Sequence, residues 1–444
     1  MPAKLRPDAR SIAAHVLDRV RGEGAFAAAV LDAALERYPE LDPRERALAT
    51  DLAYGSLRTA PYVETRLAKH ARHGIEDLDP LVLSRLIVAA YQILFLERVP
   101  AFAAVSEGVN AVTEVRGAKL GAFANAVLRR LSEEAPADKR ALLETATRES
   151  VAPWLREALV RALGAKGADA FVLSLSTPPL NLRVRVGGDR AALVERLRDA
   201  LPGADIEPGK LSPLAIRMRG GGDPKRLALV QEGTLAVQEE GAQFIALALG
   251  ARPGETVLDA CAGRGNKTAL LAELVGPGGS VDAADRHPQK LARLRTSLAQ
   301  LGLAPRNTFA VDWSVGAGDV PAGYDRVLVD APCSGIGTLR RRPDLATRKD
   351  PAALPELAAL QVDLLVRAAE RVVPGGAVVY AVCSILREEA EDVVEAALAR
   401  APFLRPAPFP GEAARAIAGD RASLRLLPAE HQTDGYFLAS FRRG

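Results

Sequence analysis

From Gly254 onward the chain repeats one pattern: an apolar run, a turn bearing glycine or proline, then a helical run. TVLDA leads into CAGRGNKT and ALLAELV, SVDAAD into HPQKLARLRTSLAQLG, and GAVVYAVC into REEAEDVVEAALAR. NTFAVD runs to Trp313, and GYFLASF reads as a last strand. Such alternation implies right-handed crossovers and a parallel sheet with helices on both faces. The most constraining member is Tyr324 to Thr338, YDRVLVDAPCSGIGT, with a long helix expected around Leu354 to Val373. Val327, Leu328 and Val329 run into Asp330, and a Pro-Cys-Ser-Gly turn follows at once. A buried parallel strand delivers its last side chains to the carboxyl edge of the sheet, where open α/β sheets place their ligands.

A chain of 444 residues is too long for one core. With 58 Lys+Arg against 55 Asp+Glu, the net charge of +3 leaves any nucleic-acid contact to local patches. MPAKLRPDAR carries no apolar segment of a secretory signal, and no stretch approaches the apolar length of a membrane span. Three cysteines far apart do not make a disulfide framework, and the five histidines form no zinc-type spacing. A cytoplasmic protein with free thiols and no metal is expected.

Residues 7 to about 135 read as six or seven helices, with apolar positions recurring every three or four residues, as in Ile12, Val16, Leu17 and Val20. Breaks are expected at Gly22 to Gly24, Pro39 to Pro43, His73-Gly74, Asp79-Pro80 and Val99-Pro100. Among the basic residues here are Lys4, Arg58, Arg66, Arg129 and Arg130; solvated faces are the plain reading and an RNA-binding face the sharper one. Residues from 136 to about 240 change character. A helix around Pro153 to Leu163, with Trp154 in its core, precedes the strand-like LNLRVRV, a helix at Arg190 to Ala200 and the strand-like LAIRMR. This is a small α+β module between two larger parts, and it bears no motif of chemistry.

In Asp259 to Thr268, DACAGRGNKT, a strand ends in a glycine-bearing turn that lets backbone approach an adenosine cofactor closely. Walker A needs glycine before the lysine and meets Asn266, while G-x-G-x-x-G is satisfied at Gly263 and Gly265 but ends in Thr268. A nucleotide-dependent dehydrogenase is therefore disfavoured. The next strand ends in Asp285, where a carboxylate accepts from ribose hydroxyls. Asp312 is placed at the end of the third strand for an adenine amino group, and Asp330 closes the fourth. Each could instead cap a helix.

Cys333, in its turn, and Cys383, at the end of the fifth strand, converge on one crevice. A thiolate there can add to an electron-poor carbon such as pyrimidine C6, which makes C5 nucleophilic toward a sulfonium methyl. A carboxyl such as Asp330 would hold the base edge. The residues alone leave the two cysteines equivalent.

DAPCSGIG with a second cysteine in YAVCS resembles the RNA (cytosine-5) methyltransferases, whose DNA counterparts use a single cysteine. The helical N-terminal part resembles NusB, and with GTLRRRPD the pairing is similar to the 16S rRNA methyltransferase B (RsmB) family over nearly the whole chain. The resemblance implies a NusB-like helical bundle (1–137), the α+β module (138–238) and a Rossmann-like class I methyltransferase domain (239–444). It implies S-adenosylmethionine as cofactor and 16S rRNA, naked or in an early small-subunit particle, as partner of a monomer. It places the nucleophile on Cys383 and adduct breakdown on Cys333. The cofactor contacts fall on Cys261, Ala262, Gly263, Arg264, Gly265, Asn266, Lys267, Asp285, Asp312 and Asp330. Arg264 and Asn266 depart from the family's CAAPGGK, and Val382 stands where threonine is usual. Arg340, Arg341 and Arg342, with Arg348 and Lys349 nearby, are expected to meet RNA phosphates. The same chemistry on tRNA, and a non-catalytic RNA-binding assembly factor, are the alternatives.

Overall fold

The computed structural model describes residues 6–348 and 350–444; Lys4, Lys349 and the side chain of Arg348 lie outside the described residues. The chain packs as two compact units, Met1–Thr177 with Leu339–Lys349, and Pro178–Thr338 with Asp350–Gly444.

The first unit is helical: α1 (Ala9–Glu23), α2 (Ala27–Arg37), α3 (Pro43–His70), α4 (Pro80–Phe95), α5 (Ala101–Arg116), α6 (Ala118–Glu133), α7 (Lys139–Glu149) and α8 (Pro153–Leu173). The starts follow local chemistry. Asp8, Asp42 and Asp79 cap α1, α3 and α4 by accepting from backbone N–H groups, and Pro43 and Pro80 occupy the first turn. The five expected breaks all fall at helix ends or between helices, and a sixth, at Gly117 (φ 81°), separates α5 from α6. One core runs through the unit, with Leu17, Leu52, Leu86 and Leu128 fully buried. Trp154 is only half-buried; in the first turns of α8 Leu155, Ala158 and Leu159 face inward, and Ala168, Phe171 and Val172 do so further along.

The second unit begins with an antiparallel sheet of β1 (Leu180–Val184), β2 (Asp205–Pro208), β3 (Ala215–Arg219) and β4 (Leu235–Val237), in the order β2-β3-β1-β4. The helix Arg190–Ala200 covers it with Leu193, Val194 and Leu197. β2 and β4 went unread in the sequence, since three- and four-residue strands carry too little alternation. A buried ion pair ties this sheet to the helix Asn266–Val275: Arg183 Nη1 lies 2.8 Å from Glu273 Oε2, with the side chains 1% and 5% exposed.

The main sheet has eight strands: β5 (Thr256–Asp259), β6 (Ser280–Asp285), β7 (Asn307–Ala310), β8 (Tyr324–Asp330), β9 (Val372–Val382), β10 (Leu404–Pro406), β11 (Ser423–Leu426) and β12 (Tyr436–Arg443). Its order is β10-β12-β9-β8-β5-β6-β7, with β11 paired to β12. β5 to β9 pair in parallel, whereas β12 runs antiparallel to β9 and to β10 and β11. The all-parallel expectation is thus corrected: the sheet is mixed, because the chain turns back by a hairpin-type return after its last crossover helix. Side chains alternate between two cores. Val327 and Val329 pack with Leu365 and Ala368 of the helix Leu354–Ala369, while Leu328 packs with Leu270 and Leu271 of the helix Asn266–Val275. Burying each such side chain contributes about 1.5–3 kcal/mol.

Strand order reverses between β8 and β5, so the crevice at their carboxyl ends is the switch point of the sheet. There the turn after β5 is shaped by Gly265, at φ 89°, where an added Cβ would stand 2.6 Å from Leu294 Cγ. Asp259, fully buried at the end of β5, accepts from Thr268 Oγ1 at 2.7 Å.

Gly265→Ala is expected to lower stability by about 2–5 kcal/mol, left-handed strain and overpacking together, read as a fall in the denaturant midpoint. An unchanged midpoint would show that the turn relaxes freely. Burial pushes the Asp259 carboxyl from 3.8 up to about 7. Between those values the folded state holds a proton that the unfolded chain releases, so this stabilising contribution is present below 3.8 and lost as pH rises toward 7. Asp259→Asn should therefore gain Tm relative to the parent as pH is raised from about 5 to 8. Parallel Tm curves would refute it.

Candidate active site

β8 and β9 run side by side in parallel with Asp330 opposite Ala381. Cys333 lies three residues past the first and Cys383 two past the second, so both turns leave the sheet at one height. The Cys333 and Cys383 sulfurs are 3.3 Å apart. Backbone bonds fix the approach: Ala331 N donates to Ala381 O at 2.9 Å, and Gly337 N to Cys383 O at 3.0 Å. Neither cysteine is in a disulfide, and both are half-buried. The neighbouring Cys383 sulfur, and then burial, push the Cys333 thiol well above its ordinary value. Cys261 stands apart in the loop after β5; burial and the carboxylates of Asp259, Asp330 and Asp285 push its thiol up as well.

Asp330 accepts from Lys267 Nζ at 2.6 Å. Burial alone would favour loss of the lysine proton, but the Asp330 carboxylate outweighs it and the ammonium is held above its ordinary value. The field of the Cys383 sulfur acts on the same ammonium. Asp285, at the end of β6, accepts from Gly263 N at 3.0 Å and His287 N at 2.8 Å, which docks the loop to the neighbouring strand. Asp312 lies two residues beyond β7 instead of ending it. Hydrogen bonds from the Ser314 hydroxyl and N–H, at 2.6 and 3.0 Å, hold its carboxyl below the usual range, with Arg286 Nε 3.1 Å away.

The crevice thus presents three carboxylates, at the ends of β8 and β6 and just beyond β7, beside a loop with open space over Gly263. A methyl donor built on adenosine and an amino acid offers an ammonium, a ribose diol and an adenine amine, all donors, and each carboxylate keeps lone pairs for them. The residues present fit that group. Ala262 is buried beneath the loop, whereas the departures Arg264 and Asn266 are exposed. Val382 is fully buried in the apolar core.

The arginine run divides. Arg340 is 5% exposed and its carbonyl accepts from Arg58 Nη2 at 3.4 Å, Arg341 is half-buried, and Arg342 is exposed. All three belong to the helical unit. Two buried residues escaped the sequence reading. Glu389 accepts from Ser334 N at 2.6 Å and from the Ser334 hydroxyl, and Gln361 Nε2 donates to Pro332 O at 2.9 Å and to Glu389 Oε1 at 3.1 Å. In REEAED, Glu389 looks like one more charge at a helix start, and no local signal sets it apart.

Residues 246–442 match the family 16S rRNA methyltransferase RsmB/F, and residues 7–133 match the NusB family. The chain is 32% identical to "Probable ribosomal RNA small subunit methyltransferase B" of Bacillus subtilis, over 98% of each chain. It is 33% identical to ribosomal RNA small subunit methyltransferase B of Pseudomonas syringae pv. tomato, over 90% of each. Among solved structures, that of PH0851 shares the fold over 99% of each chain with a TM-score of 0.80 at 23% identity. With near-complete coverage of relatives above 30% identity, the chain belongs to the ribosomal RNA small subunit methyltransferase B family.

Proposed function

We propose that this protein methylates C5 of a cytosine in 16S rRNA through a covalent adduct between Cys383 and C6 of the base. The observation that carries the reading is the pair of cysteine sulfurs 3.3 Å apart, not joined in a disulfide, with the Lys267–Asp330 ion pair on the same sheet edge. A methyltransferase acting on oxygen or an exocyclic nitrogen has no use for two adjacent thiols, whereas methylation at an unactivated ring carbon needs one to attack and benefits from one to assist departure. S-adenosylmethionine, when bound, supplies the electrophilic methyl group that C5 accepts.

This chain's residues divide the remaining work. The Cys383 sulfur adds to C6, and the Lys267 ammonium, whose charge that sulfur feels, favours its anionic form. Asp330 accepts from the amino group at C4 and so orients the ring. After methyl transfer the C5 proton passes to water, its electron pair forms the C5–C6 double bond, and the C6–S bond breaks toward Cys383. The Cys333 thiol, kept protonated by its surroundings, gives its proton to the departing sulfur. Asp285 holds the ribose, Asp312 the adenine amine, and the loop from Cys261 to Lys267 the rest of the cofactor. The target base must be unpaired or flipped out to reach the thiols, and Arg342, the exposed member of the arginine run, is the one suited to a phosphate.

With 16S rRNA and labelled cofactor, the protein should place 5-methylcytosine at one site. Cys383→Ala should remove both product and covalent species, a loss of at least about 10³-fold for a missing nucleophile. Cys333→Ala should instead accumulate a protein–RNA adduct resistant to denaturing electrophoresis. Full turnover by Cys383→Ala would overturn the assignment of the nucleophile.

A further inference from the structure

We infer that Glu389 is a positioning residue that locks the Cys333 turn against the Cys383 sulfur, and that release of the methylated base depends on it. The inference rests on the release role proposed for Cys333. Glu389 ends a short 3-10 turn, Arg387–Glu389, and is fully buried. Its carboxylate accepts from Ser334 N at 2.6 Å, from the Ser334 hydroxyl, and from Gln361 Nε2 at 3.1 Å. Gln361, also fully buried, uses the same amide nitrogen to hold Pro332 O at 2.9 Å. Two amide hydrogens serve those two acceptors, so the nitrogen is used to capacity. The Tyr380 hydroxyl, on β9, lies 2.8 Å from the Glu389 carbonyl and 3.1 Å from Gln361 Oε1.

The peptide groups on both sides of Cys333 are therefore clamped by side chains, while the Cys333 side chain itself stays free to meet Cys383. A buried carboxylate is expensive to keep in an apolar core, and a well-packed apolar residue there would serve stability as well or better. What the carboxylate adds is direction. It fixes the turn through the Ser334 N–H and hydroxyl, and its negative charge adds to the forces that keep the Cys333 proton in place. The sulfur that carries the proton needed for departure of Cys383 is thus held 3.3 Å from the sulfur that will take it.

Glu389→Gln tests this, with Ser334→Ala as a second variant that removes one hydroxyl donor and leaves the carboxylate. Each is incubated with 16S rRNA and labelled S-adenosylmethionine beside the parent and Cys333→Ala, and methyl incorporation, multiple turnover and covalent adduct are followed. Glu389→Gln is expected to retain the first methyl transfer, lose about tenfold or more in turnover, and accumulate adduct as Cys333→Ala does. Ser334→Ala should accumulate less adduct than Glu389→Gln but more than the parent. Parent-like turnover without adduct in Glu389→Gln would overturn the inference. So would a parallel loss of adduct formation and turnover in both variants, which is the mark of simple structural damage. If Cys333→Ala itself forms no adduct, the release reading fails and this inference with it. If only the Glu389 and Ser334 variants form none, the release reading stands and the inference falls.

Discussion

The parallel pairing of β8 with β9 is the constraint on which the proposed chemistry depends. With Asp330 opposite Ala381, two turns of quite different sequence leave the sheet at the same level. A one-residue slip would turn every side chain of one strand to the other face and carry Val327 and Val329 out of their core. The register is thus held by many buried apolar side chains, and the two sulfurs inherit a separation that neither turn could impose alone. The Gly337 N–H donating to Cys383 O closes the arrangement through backbone.

Charge is distributed around this edge with some economy. Asp330 is matched by Lys267, Asp285 by backbone donors, and Asp312 by Ser314 and Arg286. Asp259 differs, since burial outweighs its hydrogen bond from Thr268 and raises its carboxyl to about 7. In a crevice with several acidic groups, one carboxyl kept partly protonated reduces the repulsion that the others would feel. The buried pair of Glu389 and Gln361 follows another logic, in which hydrogen-bond geometry around Cys333 is retained at a cost in desolvation.

Much of the fold was legible because it rests on neighbours in sequence. Apolar spacing marked α1, the breaks at Pro39 to Pro43 and Asp79-Pro80 marked the starts of α3 and α4, and alternating strands and helices marked the main sheet. The antiparallel edge was not legible, because GYFLASF carries the same alternation in either direction and only its partner decides its sense. Trp154 was misplaced for a similar reason. A large apolar residue at a helix start can face either way, and Leu155 took the inward position.

The site divides along the same line. By itself the sequence determined that Asp330, Cys333 and Cys383 would stand at strand ends, since turn chemistry and apolar runs are local properties. It also marked the glycine turn at Gly263 and Gly265, where positive φ is required. Only the tertiary structure decided that the cysteines lie within contact of each other. It also decided that Arg340 is buried while Arg342 is exposed, and that Glu389, 55 residues beyond Ser334, holds the turn between them. Those facts depend on strand order and on which helix covers which edge, and such long-range packing leaves no mark on the residues immediately around each group.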